Sequence, residues 1–317
     1  MTYIVRRLLH ALLVIILVSM VVFLLIRLLP GDPIEMLYAE SIIQGMTLEQ
    51  IAEIRSQHGL DRPIPVQYFN WATGILQGDF GKSLMRNFII RDEIGNRVVV
   101  TLLLGFGSFI TGLIIGPLLG IISAIRRGKA IDNTVAVFAN IGITAPQFWV
   151  AIILIYVFGL RLNLLPQWGY TLPWVDFGRS VRESILPIFV GALGIIASTA
   201  RQTRSSVLET LGEDYIRTAW AKGLNERKVI NKHVIKNSLM PVVTLSGTML
   251  RMVVGGSVVI ETIFAIPGMG NMMVDGMLSR DYPVVQAMTL VMTVVVVFSS
   301  LIVDLLYAWL DPRIQYV

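Results

Sequence analysis

Hydrophobic and polar residues follow one another along this chain in long blocks. Apolar runs fill residues 8–29, 98–125, 135–160, 184–200, 239–259 and 284–310, each near or above the ~20 helical residues that cross a hydrocarbon core of ~30 Å. The pattern predicts an all-α, polytopic membrane protein with six transmembrane helices. Basic residues set its direction: Arg6 and Arg7 precede the first run, Arg126, Arg127 and Lys129 follow the second, and a basic stretch from Arg201 to Lys236 separates the fourth from the fifth. Lys and Arg in short loops favour the cytoplasmic side, so both termini and these loops are expected in the cytoplasm. The first run is longer than the apolar core of a signal peptide, about 7–15 residues. It leads into Leu29-Pro30-Gly31-Asp32-Pro33 where cleavage would need small residues, and so reads as an uncleaved span.

The polar segments between the runs give the organisation. Residues 1–30 form the first transmembrane helix, 31–97 a small extracytoplasmic helical insertion, and 98–317 a core of five further spans with a cytoplasmic loop over 204–240. In the insertion, Thr47 followed by Glu49 and Gln50 caps a helix over 47–58. Gly78-Asp79-Phe80-Gly81-Lys82-Ser83 ends like a phosphate-binding loop, but the first glycine of that motif would fall on Leu76, and no apolar strand precedes it. Its Gly and Asp content predicts a turn between short helices. Residues 161–182 form an outer loop whose Trp168, Tyr170 and Trp174 suit a membrane interface. Residues 261–283 read as a glycine-rich outer turn, with 266–270 re-entrant or a short surface helix.

The longest charged, helix-favouring passage between apolar blocks runs from Glu213 to Pro241. Tyr215, Ala219, Leu224 and Val229 give an intermittent apolar stripe at helical spacing, and Arg217, Lys222, Arg227, Lys228, Lys232 and Lys236 surround it. Gly223 suits a left-handed helix stop, Asn225 the cap of a second helix from Glu226 to Lys236, and Pro241 the first turn of the next span. The expected local structure is helix, tight turn, helix, facing water and a partner.

Composition agrees with a bilayer protein: 55% hydrophobic residues, 15% charged residues and a mean hydropathy of +0.71. The net charge of +5 sits beside apolar spans and not in an aromatic-interleaved groove, which excludes a nucleic-acid reading. Without cysteine the chain has no disulfide and no thiolate metal site. His10, His58 and His233 are isolated, and no catalytic or metal-binding motif is present.

Within the spans three features stand out. Gly112, Gly116 and Gly120 line one helical face, a pattern for close helix approach either inside this chain or at a subunit interface, and Pro117 adds a kink. Thr144, Pro146 and Gln147 form a proline break that either packs or lines a substrate pathway. Arg251 lies midway along the fifth run, where a cation needs a polar partner: Asp304 of the sixth run, a substrate carboxylate or a neighbouring subunit.

Several strings, in one order over nearly the whole chain, resemble the peptide/nickel branch of ABC-importer permeases, and among them its first, B-type, subunit. They are Arg27-Leu-Leu-Pro-Gly-Asp-Pro33, Gly59-Leu-Asp-Arg-Pro63 with Gln67-Tyr68, Gly78-Asp-Phe-Gly81, Glu261-Thr-Ile-Phe with Pro267-Gly268, Arg280-Asp-Tyr-Pro283, and Asp304-Leu-Leu-Tyr with Asp311-Pro-Arg313. Between them, Arg217-Thr-Ala219, Lys222-Gly223-Leu224 and Asn237-Ser-Leu-Met-Pro241 resemble the cytoplasmic coupling ("EAA") loop, with Arg217 and Thr218 where Glu and Ala are usual. The resemblance implies a type I permease fold in a bacterial or archaeal cytoplasmic membrane and no enzymatic site in the chain. It implies a coupling loop carried by Glu213, Arg217, Ala219, Lys222, Gly223, Leu224 and Pro241. It also implies a second homologous permease, two cytoplasmic ATP-binding subunits that hold ATP and Mg, and an extracytoplasmic binding protein. Peptides are the expected substrate, with nickel or metal chelates and glutathione as alternatives. A secondary transporter would instead show internal repeats and an intramembrane acidic relay.

Overall fold

The computed structural model describes residues 2–28, 47–57, 59–252 and 257–310, with backbone alone for residues 2–4, 48, 54, 57, 251, 252 and 303–310. Regular structure among them is helical, apart from one isolated antiparallel bridge between Lys82 and Ile89. The described residues form two compact units, one gathering those up to Val99 and Pro267–Leu301, the other Val100–Ile266 and residues 302–310.

In the first unit, α1 (Thr2–Leu28) is apolar around its circumference and exposes Leu9, Leu13, Leu17 and Leu25, as a helix facing lipid does. The described part of the polar insertion contributes α2 (Leu48–Gln57) and α3 (Ile64–Leu76). The Tyr68 hydroxyl of α3 lies 2.8 Å from Ser19 Oγ of α1; since Ser19 already donates to the Ile16 carbonyl, Tyr68 is the donor. The Gly78–Ser83 stretch is a turn after α3, and Gly78 and Gly81 both take φ of +81°. Ser83 donates to Asp281 at 2.5 Å, and the Leu84 and Met85 amides also point at that carboxylate. The serine of the GKS string is thus committed inside the protein. The unit closes with α13 (Met269–Leu278) and the start of α14 (Tyr282–Leu310).

In the second unit, α4 (Ile90–Ile125, whose first turns belong to the other unit) and α7 (Phe177–Leu211) are the long elements. Between them α5 (Ala130–Thr144) and α6 (Gln147–Leu154), the latter continued by the π-helical turn Ile155–Arg161, are bent by 111° at the predicted proline break. Ala145, the residue before Pro146, has ψ of 131°, the extended backbone that a following proline ring enforces. A core of Val100, Leu104, Leu186, Val190, Ile260 and Phe264 draws α4, α7 and α12 (Ser257–Ile263) together.

The glycine stripe packs inside the chain. A Cβ on Gly116 would run into Thr199 Oγ1 and stand 2.8 Å from the Ile196 carbonyl; on Gly120 it would stand 2.5 Å from that of Ala200; and on Gly112 2.6 Å from Ile195 Cβ. The stripe therefore lets α4 lie backbone to backbone on α7.

Among the described residues four helices, α1, α4, α7 and α14, are long and apolar enough to cross a membrane, and the bent α5/α6 pair is a fifth if it forms one span. The fifth apolar run is described as α11 (Met240–Met252) and α12, the residues between them lying outside the described set. Some boundaries differ from the sequence expectation. The second run is helical from Ile90, because Asp92 and Glu93 favour a helix N-terminus and Arg97 pairs with Glu93 at 3.1 Å. The fourth extends from Phe177, where Asp176 accepts the Arg179 amide, to Leu211. Hydropathy marks the length that must be apolar, not the length that is helical. The 261–283 stretch is no simple turn: α13 forms there, with Ile266 and Met269 fully buried, so burial overrides its glycine content.

Candidate functional site

The Glu213–Pro241 passage folds as helix, turn, helix. Here α8 (Asp214–Ala221) ends at a turn in which Gly223 has φ of +72° and its amide donates to the Trp220 carbonyl at 2.9 Å. Asn225 Oδ1 then accepts the Arg227 amide and caps α9 (Glu226–Val229), which runs through the π-helical turn Ile230–Val234 into α10 (Ile235–Ser238). Asn225 Oδ1 and the Gly223 backbone supply the start and stop that the sequence signals.

The inward face differs in one respect from the expected stripe. Ile216, Ala219, Val229 and Val234 are buried, Leu224 packs against them, and together they sit on Ala124 of α4 and Val207 of α7. Tyr215, read as part of the stripe, is 42% exposed, and its hydroxyl accepts from Asn237 Nδ2 at 2.9 Å. The face runs through Ile216 because Ile216 and Ala219 are one turn apart, which puts Tyr215 on the flank. Ala219 is turned into the core. Trp220, which the sequence reading did not single out, is 43% exposed beside Gly223. Glu213, Arg217, Lys222 and Pro241 are exposed, as are Arg227, Lys228, Lys232 and Lys236.

A part-buried ion pair ties down the elements beneath this helix pair. Arg204 of α7 reaches Asp132 of α5 through Nε at 2.7 Å and Nη2 at 2.9 Å, a two-pronged fit of guanidinium to carboxylate. Ser123 of α4 donates to the same carboxylate at 2.5 Å, and the Gly128 amide at 2.9 Å. Nothing in the sequence pairs two residues so far apart. Arg204→Ala would leave Asp132, whose side chain is 5% exposed, charged without its cation. It is expected to destabilise the chain by about 2–3 kcal/mol, read as a lowered midpoint of thermal unfolding in detergent; an unchanged midpoint would show that the pair contributes nothing.

Of the pathway candidates with described side chains, Gln147 lines a described cavity. It is one of the walls of a space of about 340 Å³ whose lining includes Ser108, Gly191, Ser198 and Ile260. Thr144 donates back to the Asn140 carbonyl at 2.9 Å, Pro146 caps α6, and neither is among the described lining residues. The side chains of Arg251 and Asp304 lie outside the described residues, as does the Asp311-Pro-Arg313 string. Two buried carboxylates, Glu261, quoted in the sequence only as part of a family string, and Glu183, accept hydrogen bonds inside the protein: Glu261 from Thr101 at 2.7 Å, and Glu183 from the Thr171 amide at 2.5 Å and Arg179 at 2.7 Å.

Residues 116–316 match the family model for the binding-protein-dependent transport system inner membrane component, and residues 1–84 that for the N-terminal part of such membrane components. The chain is 40% identical over 317 residues to the oligopeptide transport system permease protein AppB of Bacillus subtilis, covering 99% of both chains. It is 40% identical over 316 residues, 99% of this chain and 98% of the other, to a protein of Brucella suis biovar 1 that bears a peptide-permease name. A peptide ABC transporter permease protein y4tP named as probable, from Sinorhizobium fredii, is 37% identical over 316 residues, 99% of each chain.

Proposed function

The chain belongs to the family of binding-protein-dependent transport system inner membrane components, and from that premise we propose that it is the permease subunit of an ATP-driven importer of peptides. It is a multi-pass protein of the cytoplasmic membrane and a transport component without an ATPase site of its own. The observation that carries the peptide reading is full-length similarity to permeases whose names specify peptides or oligopeptides.

In this reading the chain crosses the bilayer six times with both termini in the cytoplasm. A second, homologous permease completes the pathway, two cytoplasmic subunits bind ATP and Mg, and an extracytoplasmic binding protein delivers the substrate. The helix pair around Gly223 docks on one ATP-binding subunit, with Trp220, Gly223 and Tyr215 at the contact and the flanking Arg and Lys residues fixing register. Closure of the ATP-binding subunits moves the pair, and through the core of Ile216, Val229 and Val207 the motion reaches α4 and α7, which rock between inward-open and outward-open states. The cavity beside Gln147 lies on the substrate's route.

The test is purification of the tagged chain from mild detergent with mass spectrometry of its companions. Recovery of two ATP-binding subunits and a second permease is expected. A chain that purifies alone and transports in liposomes under an ion gradient would overturn the proposal.

A further inference from the structure

Two neighbouring cavities in the first unit share Tyr282 as a wall. One, of about 440 Å³, is the more polar of the two, its apolar and aromatic walls interrupted by Gln67, Gln286, Lys82, Arg27 and the carboxylate of Asp79. The other, of about 510 Å³, is an apolar groove between α1 and α14, along Val22, Leu25, Ile26, Val285 and Thr289.

Their level in the membrane follows from the two helices. Val22 and Ile26, near the end of α1, contact Tyr282 and Val285 at the start of α14, so two apolar spans leave the hydrocarbon together here. Aromatic rings gather at this level: Phe23 stands 5.5 Å from Tyr68 and 5.7 Å from Trp71, and the Arg27 guanidinium lies over Phe23 at 5.1 Å. Aromatic rings with a cation at the end of a span mark the headgroup layer.

The polar cavity holds two buried atoms without a hydrogen-bond partner, Gln286 Nε2 and Gln67 Oε1. Gln286 is 4% exposed. The orientation of Gln67 is fixed, since its Nε2 donates to the Leu60 and Arg62 carbonyls at 3.1 and 2.7 Å, and its oxygen is left to accept. Buried polar atoms are normally paired, and this pair asks for a ligand that offers an acceptor to one glutamine and a donor to the other. A phospholipid headgroup offers both: a phosphate oxygen, and an ammonium or hydroxyl beyond it.

We propose that the paired cavities form a phospholipid site. The phosphate accepts from Gln286 and Lys82, the headgroup donor meets Gln67, and one acyl chain lies in the groove past Leu25. Ethanolamine and glycerol headgroups share this chemistry, and separate arms distinguish them.

The full-length chain, with the subunits that accompany it, is purified from membranes and passed through nanodiscs containing only phosphatidylethanolamine or only phosphatidylglycerol. After release, phospholipid that stays bound is counted by native mass spectrometry. Retention of one lipid in at least one arm is expected, with affinity about tenfold weaker in Gln286→Leu, the loss of one hydrogen bond to a charged group. Gln286→Leu removes an unpaired buried amide and is expected to fold; an unchanged thermal midpoint checks this. Leu25→Trp, which fills the groove and leaves the polar cavity intact, is expected to weaken retention as well. Equal retention by wild type and both variants, retention in neither arm, or displacement of the lipid by a short peptide would each overturn the site.

Discussion

Gly223→Pro is expected to leave the chain inserted and assembled while abolishing the link between ATP hydrolysis and uptake. The residue holds φ at +72°, whereas proline fixes φ near −65°, so the turn between α8 and α9 cannot form as it stands. Proline also removes the amide that donates to the Trp220 carbonyl. Nothing lies within 4 Å of a Cβ at this position, so the defect is one of backbone conformation and stays local, at an exposed turn. Gly223→Ala separates conformation from bulk, since it adds only the strain of a left-handed alanine, about 1–2 kcal/mol. Peptide uptake and ATPase activity in proteoliposomes, read together, check the expectation. The proline variant should hydrolyse ATP with uptake lowered at least ~10-fold, corresponding to a ~1.4 kcal/mol loss in the coupled step, and the alanine variant should lie between it and wild type. Normal uptake by a correctly assembled proline variant would remove the helix pair from the coupling path.

A larger structural effect is expected at Gly116. Valine there drives its branched carbons into Thr199 and the Ile196 carbonyl, and backbone cannot swing aside as a long side chain can. Helices α4 and α7 must separate along the whole stripe, at a cost of ~3 kcal/mol or more. Little monodisperse protein should survive extraction, as size-exclusion chromatography of a fluorescent fusion would report. Gly95→Ala is the control, being in the same helix with nothing within 4 Å of its Cβ, and it should behave as wild type. A Gly116→Val protein that elutes and unfolds like wild type would show that the close approach of the two helices is dispensable.

Local chemistry made the helix pair readable in advance. Gly223 and Asn225 act within a few residues of themselves, and the structure realises both signals. The apolar runs likewise announced the long helices. What could not be read depends on distance or on burial. Asp132 and Arg204 are ordinary charged residues in sequence, and only the fold brings them to 2.7 Å. Ser83 and Asp281 meet across most of the chain. The π-helical turns Ile155–Arg161 and Ile230–Val234 carry no composition signal, because a widened turn is set by what packs on either side of it. Gln147 was singled out with Thr144 and Pro146 for the proline they share, yet of the three it is Gln147 that lines the described cavity.

The carboxylate of Asp132 has one further consequence. Ser123 adjoins Ala124, and Arg204 precedes Val207 by a single turn, so the ion pair clamps the two helices at the level where the α8–α10 layer rests on them. A push on that layer meets a braced joint and not independent helix ends. In the proposed transporter this leaves little slack in side-chain rearrangement, so that each cycle of an ATP-binding subunit docked on the layer would be passed on as a stroke of nearly fixed length.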